Sequence, residues 1–177
     1  PKLEVVGDDR RMIFEEAEAY YRSQGCEIAL FKHFYALAYR LTEEQLESIR
    51  KDCHEAWILC GRLNYKGALV PVDGGAMVKC PVYEGTLLAE VLATPEGLKF
   101  FHELCRTKDD AEVILKTFER LFGMERDFIR FWTPDLDSRM TFPSRAAGFF
   151  YGDGEFRVGG DGLNSYGRSR GVRVCER

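Results

Sequence analysis

The sequence lacks an uninterrupted apolar run of about 18 residues, so no segment of it is suited to cross a membrane as a helix. It also lacks a basic excess. Against 25 Lys and Arg stand 29 Asp and Glu, a net charge of −4, which argues against unassisted binding to nucleic acid or to an anionic membrane. The stretch Pro1-Lys2-Leu3-Glu4-Val5-Val6-Gly7-Asp8-Asp9 has no apolar h-region, and no secretory signal is expected in these residues.

Metal and nucleophile motifs are missing as well. The six cysteines (Cys26, Cys53, Cys60, Cys80, Cys105, Cys175) contain no C-x-x-C, and His33, His54 and His102 form no H-x-x-x-H pair, so neither a metal nor a cofactor is expected. Most of the cysteines sit in apolar surroundings and read as small buried hydrophobes, although an even count leaves room for one or two disulfides. There is no G-x-S-x-G, no H-E-x-x-H and no histidine after His102, which leaves a Ser/His or Cys/His site without a local base in the last third. The reading is of a chain that is not an enzyme.

What is present is a soluble globular composition, 45% apolar and 31% charged over 177 residues, the length of a single domain. The first two thirds carry helix signals. Asp8 or Asp9 can cap a helix with Ile13, Ala17 and Tyr20 or Tyr21 inward, and Gly25 supplies its stop. Leu30 to Tyr39 reads as a second helix or helical turn, and Thr42-Glu43-Glu44-Gln45 is a capping box for a helix that buries Leu46, Ile49 and Cys53. Trp57 to Cys60 reads as a short strand. Ala68 to Val72 and Ala76 to Cys80 flank Asp73-Gly74-Gly75 as a hairpin, with Pro71 and Pro81 placing these strands at an edge. Thr94-Pro95-Glu96 opens a helix with Leu98, Phe101, Leu104 and Cys105 inward. Thr107 opens another that buries Ala111, Ile114, Leu115, Phe118, Leu121 and Phe122 and stops at Gly123. The pair from about 95 to 123 reads as a helical insertion on an α+β core.

Beyond residue 124 the composition changes. No lysine follows Lys116, and glycines at 148, 152, 154, 159, 160, 162, 167 and 171 rule out helix. Phe128 to Trp132, Ala146 to Phe150, Glu155 to Val158 and Gly171 to Cys175 read as short strands, the last pairing with Leu3 to Val6. Between them, Tyr, Gly, Ser, Asn and Asp occur in the mixture that binding loops favour, which makes Phe150, Tyr151, Asp153, Asp161, Asn164, Ser165, Tyr166 and Arg168 the candidate ligand-binding residues. The same residue types are ordinary in turns. Asp153-Gly154-Glu155 and Asp161-Gly162-Leu163-Asn164 offer carboxylates to calcium, but the EF-hand pattern is absent. The pair Asp135 and Asp137 belongs to a surface turn, and Arg139, Arg145, Arg157, Arg168, Arg170 and Arg173 are better accounted for by internal ion pairs than by an anionic ligand.

The order of these elements resembles the C-type lectin-like domains. Met12 to Ala29 is similar to their first helix and turn, Phe131-Trp132-Thr133-Pro134 to the strand entering their loop region, and Ser144 to Phe149 with Gly167 to Val174 to the closing strands of prokaryotic members. Those members include the formylglycine-generating-enzyme-like group and the variable proteins of diversity-generating retroelements. The calcium-dependent lectin motifs Glu-Pro-Asn and Trp-Asn-Asp are missing, whereas the retroelement group carries its diversified segment at the C-terminus. There, randomised Asn codons become Tyr, Asp, Ser, Gly, Phe, Leu or Val, which covers nearly every residue of 149–154 and 161–167. The resemblance implies one C-type lectin-like domain over 1–177 with a variable region at about 148–170. It implies a viral or microbial protein on a virion or cell surface, whose partner is a protein or glycan on another cell or particle. A formylglycine-generating-type enzyme and a tail-assembly module are the alternatives.

Overall fold

The computed structural model of the chain describes residues 2–7, 10–65, 69–71, 84–132, 144–161 and 166–175, and these form an α+β structure. Strand β1 (Lys2–Gly7) leads to helix α1 (Phe14–Ser23). The helix opens at Ile13, whose side chain makes no cap, and not on Asp8 or Asp9, which lie outside the described residues. The later start has a physical cause. Met12 is held extended by two backbone hydrogen bonds with Gly167, of 2.9 and 3.0 Å, so winding begins only after it. Phe14, Ala17 and Tyr21 are buried, and Gly25 takes the left-handed conformation at φ 72° beyond the helix end.

Strand β2 (Glu27–Ile28) and helix α2 (Phe31–Leu37) precede α3 (Glu43–Glu55). The expected capping box forms there: Thr42 Oγ accepts from the Gln45 N–H at 3.2 Å while Gln45 Oε1 accepts from the Thr42 N–H at 2.9 Å. Helix α3 buries Leu46, Ile49 and Cys53, and with them Asp52. Strand β3 (Ile58–Tyr65) runs well past Cys60, with a bulge against β7 between Leu59 and Gly61; its alternation places Ile58 and Cys60 in one core and Leu59 in another. Strand β4 (Leu69–Pro71) pairs back on β3 at a sheet edge, where its proline is tolerated. The Asp73-Gly74-Gly75 turn, the Ala76 to Cys80 strand and Pro81 lie outside the described residues.

Strand β5 (Glu84–Leu87) and helix α4 (Leu88–Leu92) lead to α5 (Pro95–Cys105), whose cap Thr94 accepts from the Gly97 N–H at 3.1 Å. Helix α6 (Ala111–Phe122) is capped by Asp110, not by Thr107. Thr107 Oγ accepts from the Asp109 N–H instead and shapes the turn before the helix. After a single 3-10 turn come β6 (Ile129–Trp132), β7 (Ser144–Gly152), β8 (Glu155–Asp161) and β9 (Arg170–Cys175).

Two sheets result, a six-stranded one in the order β4-β3-β7-β8-β6-β5 and a three-stranded one in the order β1-β9-β2. As the sequence implied, β9 lies antiparallel to β1, with Leu3 opposite Val174 and Val5 opposite Val172. Helices α2 to α6 cover one face of the large sheet. Phe100, Phe101, Phe118 and Phe122, all from 95–123, share a core with Phe131, Phe149 and Phe156 of the strands. Phe122 stacks on Phe156 at 4.5 Å, and Phe149 meets Phe31, Phe34, Phe118 and Phe122 edge to face. Each such ring contributes roughly 1.5–3 kcal/mol by leaving water. A smaller cluster lies beneath α1 and includes Phe14, Tyr21, Ile28 and Leu59.

Candidate functional site

Strands β7 and β8 form a hairpin whose tip, Asp153-Gly154, has both residues at positive φ, 52° and 76°, as a two-residue turn of the I′ kind requires. Period-2 alternation then sorts the candidate residues. Phe149, Phe156 and Val158 point into the core, while Phe150, Glu155 and Arg157 face the other side of the sheet. Phe150 is half-buried and stacks on Trp57, with ring centroids 5.2 Å apart and an interplanar angle of 19°. Tyr151 is on the core side, packed against Phe156 at 5.1 Å and His54 at 3.9 Å. These two neighbours in sequence therefore do not share one surface.

On the outer face, Arg157 lies over the Trp132 ring at 5.0 Å and pairs with Asp153 at 2.8 Å and with Glu155 at 3.1 Å. Glu155 also holds Arg130 at 2.8 Å, and Arg130 stands in register with Arg157 across β6 and β8. The acids separate two like charges that would otherwise repel across the ladder. The result is an aromatic face, built from Trp57, Phe150 and Trp132, whose arginines already carry carboxylate partners.

Tyr166 is 63% exposed, the side chain of this segment most open to solvent among the large hydrophobic residues described. Asp161 ends β8 opposite Ala146, and Asn164 and Ser165 lie outside the described residues. Arg168, expected on the displayed surface, is turned inward, its side chain only 13% exposed. Its guanidinium pairs with Asp52 at 2.6 Å and Glu55 at 2.5 Å on α3, and its backbone N–H donates to the Trp57 carbonyl at 2.7 Å. Arg170 reaches the other oxygen of Asp52, as an ion pair rather than a well-directed hydrogen bond, and donates to Ser48 Oγ at 3.2 Å. On the opposite side of the segment, the Tyr21 hydroxyl donates to the Ser169 carbonyl at 2.9 Å. The C-terminal segment is thereby clamped between α1 and α3.

Sequence reasoning missed Trp57, Trp132, His54 and Asp52. Trp132 was findable, because Ile129 and Phe131 alternate with Arg130 and Trp132 and so place the indole on the polar face. Trp57 and Asp52 gave no such signal, since their partners lie about a hundred positions further along the chain.

The thiols bear on the enzymatic alternative. Cys26, Cys53, Cys60 and Cys105 are free and buried. Burial pushes the thiols of Cys53, Cys60 and Cys105 well above the ordinary range, and the neighbouring Cys53 and Cys105 add to the effect at Cys60. None of these three can serve as an activated nucleophile at neutral pH. Among the described residues no group of three His, Cys, Asp or Glu side chains is placed to hold a metal ion, and no helix is long and apolar enough to cross a membrane. The chain matches no protein-family model and no curated protein sequence.

Proposed function

We propose that the chain is a non-enzymatic binding protein that presents its C-terminal hairpin and the residues up to Tyr166 to a protein or glycan partner, on a scaffold that resembles the C-type lectin-fold variable proteins of diversity-generating retroelements. One observation carries this reading: a solvent-open surface adjoins a firmly tied support. Tyr166 stands 63% exposed immediately before a run in which Gly167, Ser169 and Arg170 are buried and Arg168 is tied to α3. Residues that adjoin a run held in this way can change their outward side chains without changing its path. Trp57, Phe150 and Trp132 add residue types that commonly anchor interfaces.

The experiment is genetic. Sibling copies of this coding sequence, and any near-repeat beside it, are compared codon by codon. The reading expects differences concentrated at adenine-containing codons within 148–166 and leaving Arg168, Arg170 and Val172 unchanged. Differences spread evenly along the chain would end it. With a partner in hand, Tyr166→Ala should weaken binding at unchanged stability.

A further inference from the structure

On the far side of the Arg170 clamp lies a cleft that the reading above does not use. It has a volume of about 210 Å³, is walled by Val5, Val6 and Gly7 of β1 and by Gln45, Ser48 and Ile49 of α3, and is floored by Arg170. Three features define its chemistry. First, Arg168 and Arg170 share a single buried carboxylate, Asp52. Arg168 has Glu55 as a second acid, whereas Arg170 has no second carboxylate among the described residues. The four charges balance, but Arg170 shares its carboxylate with Arg168, and a guanidinium at the cleft can still offer charge-assisted hydrogen bonds to an anion that reaches it. Second, the absence of a side chain at Gly7 lets the Arg170 side chain lie against β1 at the cleft, since a Cβ there would fall 2.4 Å from Arg170 Cδ and 2.8 Å from Nε. Third, the polar walls donate. Ser48 Oγ accepts from Arg170 and keeps its own proton to give, and Gln45 spends its Oε1 on Thr42, which leaves its amide N–H groups for the cleft. No Asp or Glu is among the lining residues.

We propose that the cleft between β1 and α3 binds a small oxyanion, a carboxylate or a phosphate, through Arg170, Ser48 and Gln45. Its volume is below the roughly 300–1,000 Å³ of sites for drug-sized ligands, so the occupant is a small acid or an acidic group at the end of a larger one. Val5, Val6 and Ile49 would take a short apolar portion beside the charge.

The test is an NMR titration of the full chain with sodium succinate and, separately, with sodium phosphate, each against sodium chloride at matched ionic strength. The expected result is saturable shifts confined to residues 5–7, 45–49 and the Arg170 Nε–H. Saturation by one anion and not the other identifies which acid is the source. Ser48→Ala, at an exposed position, should weaken that binding about fivefold, the worth of one hydrogen bond. Arg170→Lys should abolish it; where that variant fails to fold, Ser48→Ala decides. Shifts that do not saturate, that chloride reproduces, or that Ser48→Ala leaves unaltered would overturn the proposal.

Discussion

Raising the pH should destabilise this protein before its lysines have any reason to respond, and three thiols are the cause. Cys53, Cys60 and Cys105 are fully buried, and burial holds each of their folded pKa values far above the value in an unfolded chain. The sign follows directly. Below about pH 8.5, the ordinary thiol pKa, both states are protonated and the full stability is present; above it the unfolded chain releases protons that the folded chain retains, and stability falls. At pH 9.5, about one unit above the unfolded value, each thiol costs about 1.4 kcal/mol and the three together about 4 kcal/mol. That is a large part of the roughly 5–15 kcal/mol by which ordinary domains are stable. Tyr35, also raised by burial and by its hydrogen bond to Asp109, adds to the loss only nearer pH 10. Urea unfolding at pH 7.0, 8.5 and 9.5, under a phosphine reductant and at constant ionic strength, measures the drop. Cys60→Ala should lower stability at pH 7 through its cavity but shrink the alkaline drop by about one third. A stability that stays flat to pH 9.5, or a drop that Cys60→Ala leaves at full size, would refute the reasoning.

Three further outcomes follow from the clamp and the surface. Asp52→Ala removes the one carboxylate between two buried guanidinium groups and should cost about 3–5 kcal/mol in chemical denaturation; a loss under 1 kcal/mol would show that the pair is solvated in solution. Gly7→Ala drives a Cβ into the Arg170 side chain and should cost about 1–3 kcal/mol, with a changed Arg170 Nε–H resonance as the local readout. Tyr166→Ala should stay within about 0.5 kcal/mol of the parent while Val172→Ala, at 3% exposure, loses about 1–3 kcal/mol; thermal melts giving equal losses would put Tyr166 in the core.

Much of the scaffold was legible because its signals are local. The Thr42–Gln45 box, Thr94-Pro95, Gly25 and Gly123 each act within one helical turn, and all are where the sequence put them. The last strand was readable from the alternation of Val172 and Val174 around Arg173, and its pairing with the first from the common tendency of terminal strands to lie together. Apart from the α6 cap, which passed from Thr107 to Asp110 within one turn, the errors arose where a distant partner overrode a local preference. Met12 is held extended by Gly167, so α1 starts late, and β3 extends past Cys60 because β7 pairs with it as far as Asn64. The candidate surface was half legible for the same reason. Composition marks the segment as turn-rich and adaptable, but it does not distinguish Tyr166, which reaches solvent, from Arg168, which reaches Asp52 across 116 positions.

The C-terminal segment therefore changes character within two residues, and the period of the strand explains where. From residue 168 onward the alternation sends Arg168, Arg170 and Val172 toward α3 and the main core, and Ser169 and Gly171 toward Tyr21 of α1. A Cβ at 171 would lie 2.5 Å from the Tyr21 ring, so neither side of this run admits a new side chain. Gly167 is the first residue so fixed, through its two backbone bonds to Met12. Every position from there to Val172 has a buried partner that a substitution would strand or strike. Tyr166, one residue earlier, is exposed, and so is Asp153 at the hairpin tip, whose carboxylate pairs with Arg157 of the same hairpin. If this segment is where the protein tolerates change, the physical limit of that tolerance falls between Tyr166 and Gly167, because that is where the chain exchanges solvent for the space between two helices.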